Sequence, residues 1–116
     1  MTTSSASHLV YINGEFVPSH EAKISIFDAA VMLGDMVTES TRTFLHKPFK
    51  LEEHIDRLYK SLKVTRINPG MTAAAMFDLS LRVLETNTPK VDPNMDLWLV
   101  HNVSRGVSIS GADPTK

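Results

Sequence analysis

Four apolar side chains constrain the fold most: Leu51, Ile55, Leu58 and Leu62 in the stretch "KLEEHIDRLYKSLK". Their spacing of four, three and four residues places them on one face of a helix. Glu52, Glu53 and Asp56 stand early in the segment and Lys60 and Lys63 late, the order a helix dipole favours. His54 borders the apolar stripe, and Arg57 lies further round on the same shoulder. Arg57 has two readings. It is a solvated arginine pairing with Glu53 one turn back, a contact that contributes a few tenths of a kcal/mol. Or its planar, permanently charged fork clamps an anion such as phosphate.

The rest of the chain supplies strands for that helix to rest on. In "HLVYINGEFV" the Asn13-Gly14 pair sits between two strand-like runs and predicts a hairpin. In "AKISIFDAAVMLGD", Ile24 and Ile26 alternate as a short strand, and Asp28 caps a brief helical turn through Leu33 that Gly34 ends. "MVTESTRTF" alternates, with Val37, Glu39 and Thr41 facing one way and Thr38, Ser40 and Arg42 the other. "LHKP" reads as a turn, with Phe49 and Lys50 starting a return strand. "INPG" breaks the helix that follows. A second helix is expected from Met71 to Leu84, with Met76, Leu79 or Ser80, and Val83 at helical spacing. "TNTPKVDPN" is a polar loop, and "MDLWLVHNVSRG" (95–106) a strongly apolar strand. The stretch around Trp98 is the first candidate for an exposed apolar face. The order predicts an α+β fold: a mostly antiparallel sheet with two helices packed on one side. Residues 1–7 are expected as a disordered tail, 8–106 as one small domain and 107–116 as a linker.

Several function classes lose support on composition. A net charge of -1 gives no general attraction to nucleic acid or to a membrane surface. There is no cysteine, and no apolar run approaches the length of a membrane span. "MTTSSAS" lacks the apolar centre of a signal peptide, so the expected location is cytoplasmic. The histidines at 8, 20, 46, 54 and 101 show no HxxxH or HExxH spacing, and no metal site is expected. There is no phosphate-binding P-loop and no GxGxxG, and Ser110 lacks a nucleophile-elbow pattern. Thr38, Ser40 and Arg42 on one strand face form a reasonable lining for a polar small-molecule pocket. A half-buried Arg42 there would need an anionic partner or several acceptors.

Taken in order, four stretches resemble the small N-terminal domain of the class IV, fold-type IV, pyridoxal-phosphate aminotransferases. "YINGEFVPSHEAKISIFD" is similar to that family's opening hairpin and following strand. "LGDMVTESTR" is similar to the segment often written YGDGVFEGIR. "FKLEEHIDRLYKSLK" is similar to its F-[RK]-L-x-x-H-[IL]-x-R-L helix, and "WLVHNVSRG" to its later strand. The resemblance implies pyridoxal 5'-phosphate as cofactor, with Arg57 holding its phosphate. It implies that Leu33, Thr38, Ser40 and Arg42 line the substrate pocket. Leu33 stands where a tyrosine is common and Thr38 where the branched-chain group has phenylalanine, which implies a differently shaped pocket. The R-x-H carboxylate trap of the D-amino acid group has no counterpart in "VSISGADP". None of Lys23, Lys47, Lys50, Lys60, Lys63, Lys90 and Lys116 matches the family's reacting lysine, so no catalytic residue is expected in this chain. That lysine is expected in a C-terminal domain or a second chain, in a homodimer that acts on an amino acid or amine and a 2-oxo acid. The alternative is a non-catalytic binding or dimerisation module on the same scaffold.

Overall fold

The computed structural model describes residues 8–107. The tail expected at 1–7, and all of the expected linker but Val107, lie outside the described residues. The first hairpin pairs β1 (Leu9–Ile12) with β2 (Glu15–Pro18), Ile12 opposite Glu15 and Leu9 opposite Pro18. Its turn takes positive φ at both Asn13 (48°) and Gly14 (97°), the conformation for which Asn-Gly is suited. After a 3₁₀ turn at Ser19–Glu21, α1 (Ala29–Leu33) begins where the Asp28 carboxylate accepts the Ala30 N–H at 2.9 Å. Gly34, in the left-handed region at φ 67°, ends it.

The long strand β3 (Met36–Phe44) is the centre of a three-stranded antiparallel sheet, with β4 (Lys47–Pro48) on one side and β5 (Trp98–Ser104) on the other. Its register with β5 runs from Met36 opposite Ser104 to Arg42 opposite Trp98. Two helices follow β4: α2 (Leu51–Thr65) and α3 (Ala73–Asn87). Leu51, Ile55, Leu58 and Leu62 are all buried and form the core with Ile67 and Met76. Val37, Leu99 and Val103, from the inward face of β3 and β5, pack against them. The expected α+β architecture is therefore present, with both sheets antiparallel.

Three local expectations are corrected. The strand expected at Ile24 and Ile26 does not form, and both side chains are exposed. The Ser25 hydroxyl accepts the Phe27 N–H and the Ser25 carbonyl accepts the Asp28 N–H, which turns the chain away from an extended path. The return strand is Lys47–Pro48 rather than Phe49–Lys50, because Lys50 adopts φ 56°, outside the strand region. In α3 the buried positions are Met76, Ser80, Leu84 and Asn87, so Ser80 takes the place left open and Leu84 replaces Val83. That helix continues past Leu84 to Asn87. Thr72 caps its start, its hydroxyl accepting the Ala75 N–H at 3.1 Å.

Two polar clasps fix the sheets to the helices. The Asn87 side chain accepts the Leu9 N–H at 2.8 Å and donates to the Leu9 carbonyl at 2.9 Å, which ties β1 to the end of α3. Arg105 donates to the Asp35 carboxylate at 2.6 Å and to the carbonyls of Arg66 and Thr65, which ties the end of β5 to the end of α2. Val107 forms a β-bridge to Asp28.

Candidate functional site

Strand alternation sorts the residues of β3 onto two faces. Glu39, Thr41 and Thr43 are buried toward the helices, whereas Thr38, Ser40 and Arg42 are exposed on the other side. The exposed row continues onto β5. The Thr38 hydroxyl donates to the Asn102 side chain at 2.9 Å, Ser40 stands opposite Val100, and Arg42 opposite Trp98, which is 73% exposed. Arg42 is not half-buried: its guanidinium lies in the open, 4.9 Å from the centre of the Phe44 ring. It therefore needs no anionic partner to remain charged. Leu33 is also exposed, at the last position of α1.

Arg57 is on the helical side of the sheet. Its partner is Glu39, from the strand beneath, and not Glu53 on its own helix. Arg57 Nε donates to Glu39 Oε1 at 3.0 Å, and Nη2 donates to Oε2 at 2.5 Å. His54 Nδ1 meets the same Oε2 at 2.7 Å. A carboxylate only accepts, so Nδ1 carries the hydrogen and Nε2 is left for other contacts. Glu39 is 6% exposed while the Arg57 side chain is 68% exposed, so a buried carboxylate holds one edge of a guanidinium whose other edge faces out. Hydrogen bonding from Arg57 holds the Glu39 carboxyl below its ordinary range against the opposing effect of burial, and His54 adds to the lowering. The same bond raises Arg57. Arg57, Lys60 and Ser61 border a shallow recess of about 300 Å³ along α2.

No hydrogen bond or ion pair joins Arg57 to Thr38, Ser40 or Arg42 among the described residues. They flank β3 from opposite faces. Strand β4 pairs only with Thr43 and Phe44, so the outer edge of β3 ahead of them carries no strand. The largest cleft, about 990 Å³, is elsewhere: it runs between β1 and β5 over α3 and includes none of the five candidate residues. Among the described residues no group of three or more His, Asp or Glu could hold a metal ion. None of their helices is long and apolar enough to cross a membrane.

Sequence reasoning passed over Glu39 and His54 as a site. The signal was present: Glu39 shares a strand face with Val37 and Thr41, and a carboxylate on the core-facing side requires donors. His101 is a second buried polar group, opposite Glu39 on β5. Its Nε2 contacts Ser80 Oγ at 2.8 Å, and burial lowers its pKa below the ordinary histidine value.

No family model matches the chain. A Methanocaldococcus jannaschii protein with a provisional branched-chain-amino-acid aminotransferase name is 39% identical over 107 residues, 92% of this chain and 35% of that protein. The D-alanine aminotransferase of Staphylococcus haemolyticus is 33% identical over 78 residues, 67% of this chain and 28% of the enzyme. A crystal structure of a bacterial-type branched-chain amino acid aminotransferase (source abbreviated T.th.), complexed with N-(5'-phosphopyridoxyl)-L-glutamate, superposes with a TM-score of 0.74 at 28% identity, covering 87% of this chain and 34% of that one. The chain is homologous to part of the fold-type IV aminotransferases. It spans about a third of the length of these relatives. Their sequences differ in named substrate, and the shared portion is the fold that carries Arg57 and the β3 row.

Proposed function

We propose that this chain is the small-domain portion of a pyridoxal-phosphate aminotransferase that moves an amino group between an amino acid or amine and a 2-oxo acid. The observation that carries the reading is the 39% identity that extends across 92% of the chain to an aminotransferase-named relative. The phosphopyridoxyl compound in the T.th. enzyme structure supports the choice of cofactor. When bound, pyridoxal 5'-phosphate supplies the carbonyl and the electron sink for such a transfer.

This chain's own part in that reaction is to bind and orient. Arg57 fits a phosphate: its Nε and Nη2 are engaged by Glu39, and Nη1 has no partner among the described residues. A fork held on one side and open on the other suits a phosphate oxygen. Thr38, Ser40 and Arg42, with Leu33 nearby in sequence, supply hydroxyls, one positive charge and one apolar side chain to the substrate side. The unpaired outer edge of β3 is where a ligand would border both groups. The reacting lysine is assigned to the remainder of the fold, present as a C-terminal domain or as a second chain. A homodimer is part of the same reading.

The test is a cofactor titration followed by visible absorbance. This chain alone should give no cofactor band beyond that of free pyridoxal phosphate. Joined with the remaining two thirds of the fold, it should give a new bound-cofactor band and amino transfer. Failure of the joined protein to bind cofactor would overturn the proposal, and the non-catalytic module would then be the better account.

A further inference from the structure

We infer that Glu39 is a positioning residue for the phosphate grip: from beneath the helix it fixes the guanidinium of Arg57 so that only the Nη1 side is offered to the cofactor phosphate. The inference rests on the assignment of phosphate to Arg57 made above. Its own support is the asymmetry of the ion pair. A charge that is 6% exposed, on a strand, has three contacts from α2: Arg57 Nε, Arg57 Nη2 and His54 Nδ1. An arginine that is 68% exposed would otherwise sample many rotamers in water. Both contacting nitrogens of Arg57 lie along one edge of the fork, so the opposite corner has one available direction. His54 bonds the same carboxylate oxygen as Arg57 Nη2 and limits how far Glu39 can swing.

Two effects of Glu39 on a bound phosphate oppose each other. Holding the arginine in place removes most of the rotamer freedom that binding would otherwise cost, roughly a thirtyfold effect on affinity at its upper limit. Against this, the carboxylate repels the phosphate. With a guanidinium between them, near the surface and in physiological salt, that repulsion is roughly threefold. Orientation wins, and the net contribution of Glu39 is about fivefold in favour of phosphate. Because salt screens only the opposing effect, the benefit grows with ionic strength.

The experiment compares pyridoxal phosphate with pyridoxal, which lacks the phosphate, in the protein joined with the remainder of its fold. The ratio of the two dissociation constants isolates the phosphate contact, and general damage to the fold moves both constants together. Arg57→Ala should collapse the ratio. Glu39→Ala should lower it about fivefold, with a larger loss at 0.5 M salt, and Glu39→Gln, which preserves size and one acceptor, should recover part of it. A collapsed ratio in Arg57→Ala with an unchanged or raised ratio in both Glu39 variants would overturn the positioning role alone. An unchanged ratio in Arg57→Ala would instead overturn the phosphate assignment on which it rests. Unfolding of Glu39→Ala leaves the Glu39→Gln measurement to decide.

Discussion

His101 should make the stability of this fold depend on pH in a range where most globular proteins are flat. Ser80 Oγ donates to the Met76 carbonyl at 2.7 Å, so it receives its second bond from His101 Nε2–H. The neutral ring thus carries its hydrogen on Nε2. Its Nδ1 is buried without a partner, and a proton added there would find no acceptor among the described residues. Burial lowers the pKa below the ordinary 6.5; the Coulombic pull of Glu39 opposes this and His54 reinforces it. As pH falls, the unfolded chain takes up this proton before the folded one does. The stabilisation is therefore complete above pH 6.5 and drains as pH falls toward the folded value. With a folded pKa well below 5.5, the loss between pH 7.5 and 5.5 approaches about 1.4 kcal/mol. The perturbation is His101→Leu, which removes the titrating group at similar volume and leaves Ser80 its bond to Met76. Urea unfolding at pH 7.5, 6.5 and 5.5 should show wild type losing stability relative to the variant by up to that amount. His8, His20, His46 and His54 remain in both proteins, so their contributions cancel in the difference. Parallel stability curves for the two proteins would refute the buried neutral histidine.

Leu58 is fully buried at the centre of the core, so Leu58→Ala should cost about 2–5 kcal/mol in urea unfolding; a cost under 1 kcal/mol would mean the α2 stripe is not the core. Arg42→Ala removes an exposed side chain whose contact with the Phe44 ring is worth about 0.5–1 kcal/mol at most. It should leave the unfolding midpoint nearly unchanged while altering substrate preference in the cofactor-loaded protein, and unfolding of that variant would show a structural arginine instead.

How much of this was legible in the residues depends on the distance over which each property is decided. The α2 stripe, the Asn13-Gly14 hairpin and the two-faced β3 are each fixed within about a dozen residues, and all three are present as read. The strand expected at Ile24 and Ile26 failed because a strand needs a neighbour, and alternation does not say whether one is available. The β3 row is the instructive case. Alternation correctly separated Val37, Glu39 and Thr41 from Thr38, Ser40 and Arg42, but chemistry was sought only on the second set, where the polar residues were denser. A polar residue on an exposed face costs nothing to keep. A carboxylate on the face shared with Val37, against a helix whose apolar stripe must cover it, has to be answered by donors from that helix. His54 and Arg57, on one shoulder of the stripe, were the available donors. The sequence contained both halves of the cluster, 15 and 18 residues apart, and the local pairing of Arg57 with Glu53 hid the connection. Local pairs on a helix surface contribute a few tenths of a kcal/mol, less than the need of a buried charge for its partners, so the long-range pair wins. The same comparison bears on function. An arginine held only by Glu53 would be one more solvated charge, whereas one held by a buried carboxylate has a fixed edge and an open edge, the geometry an anion site requires.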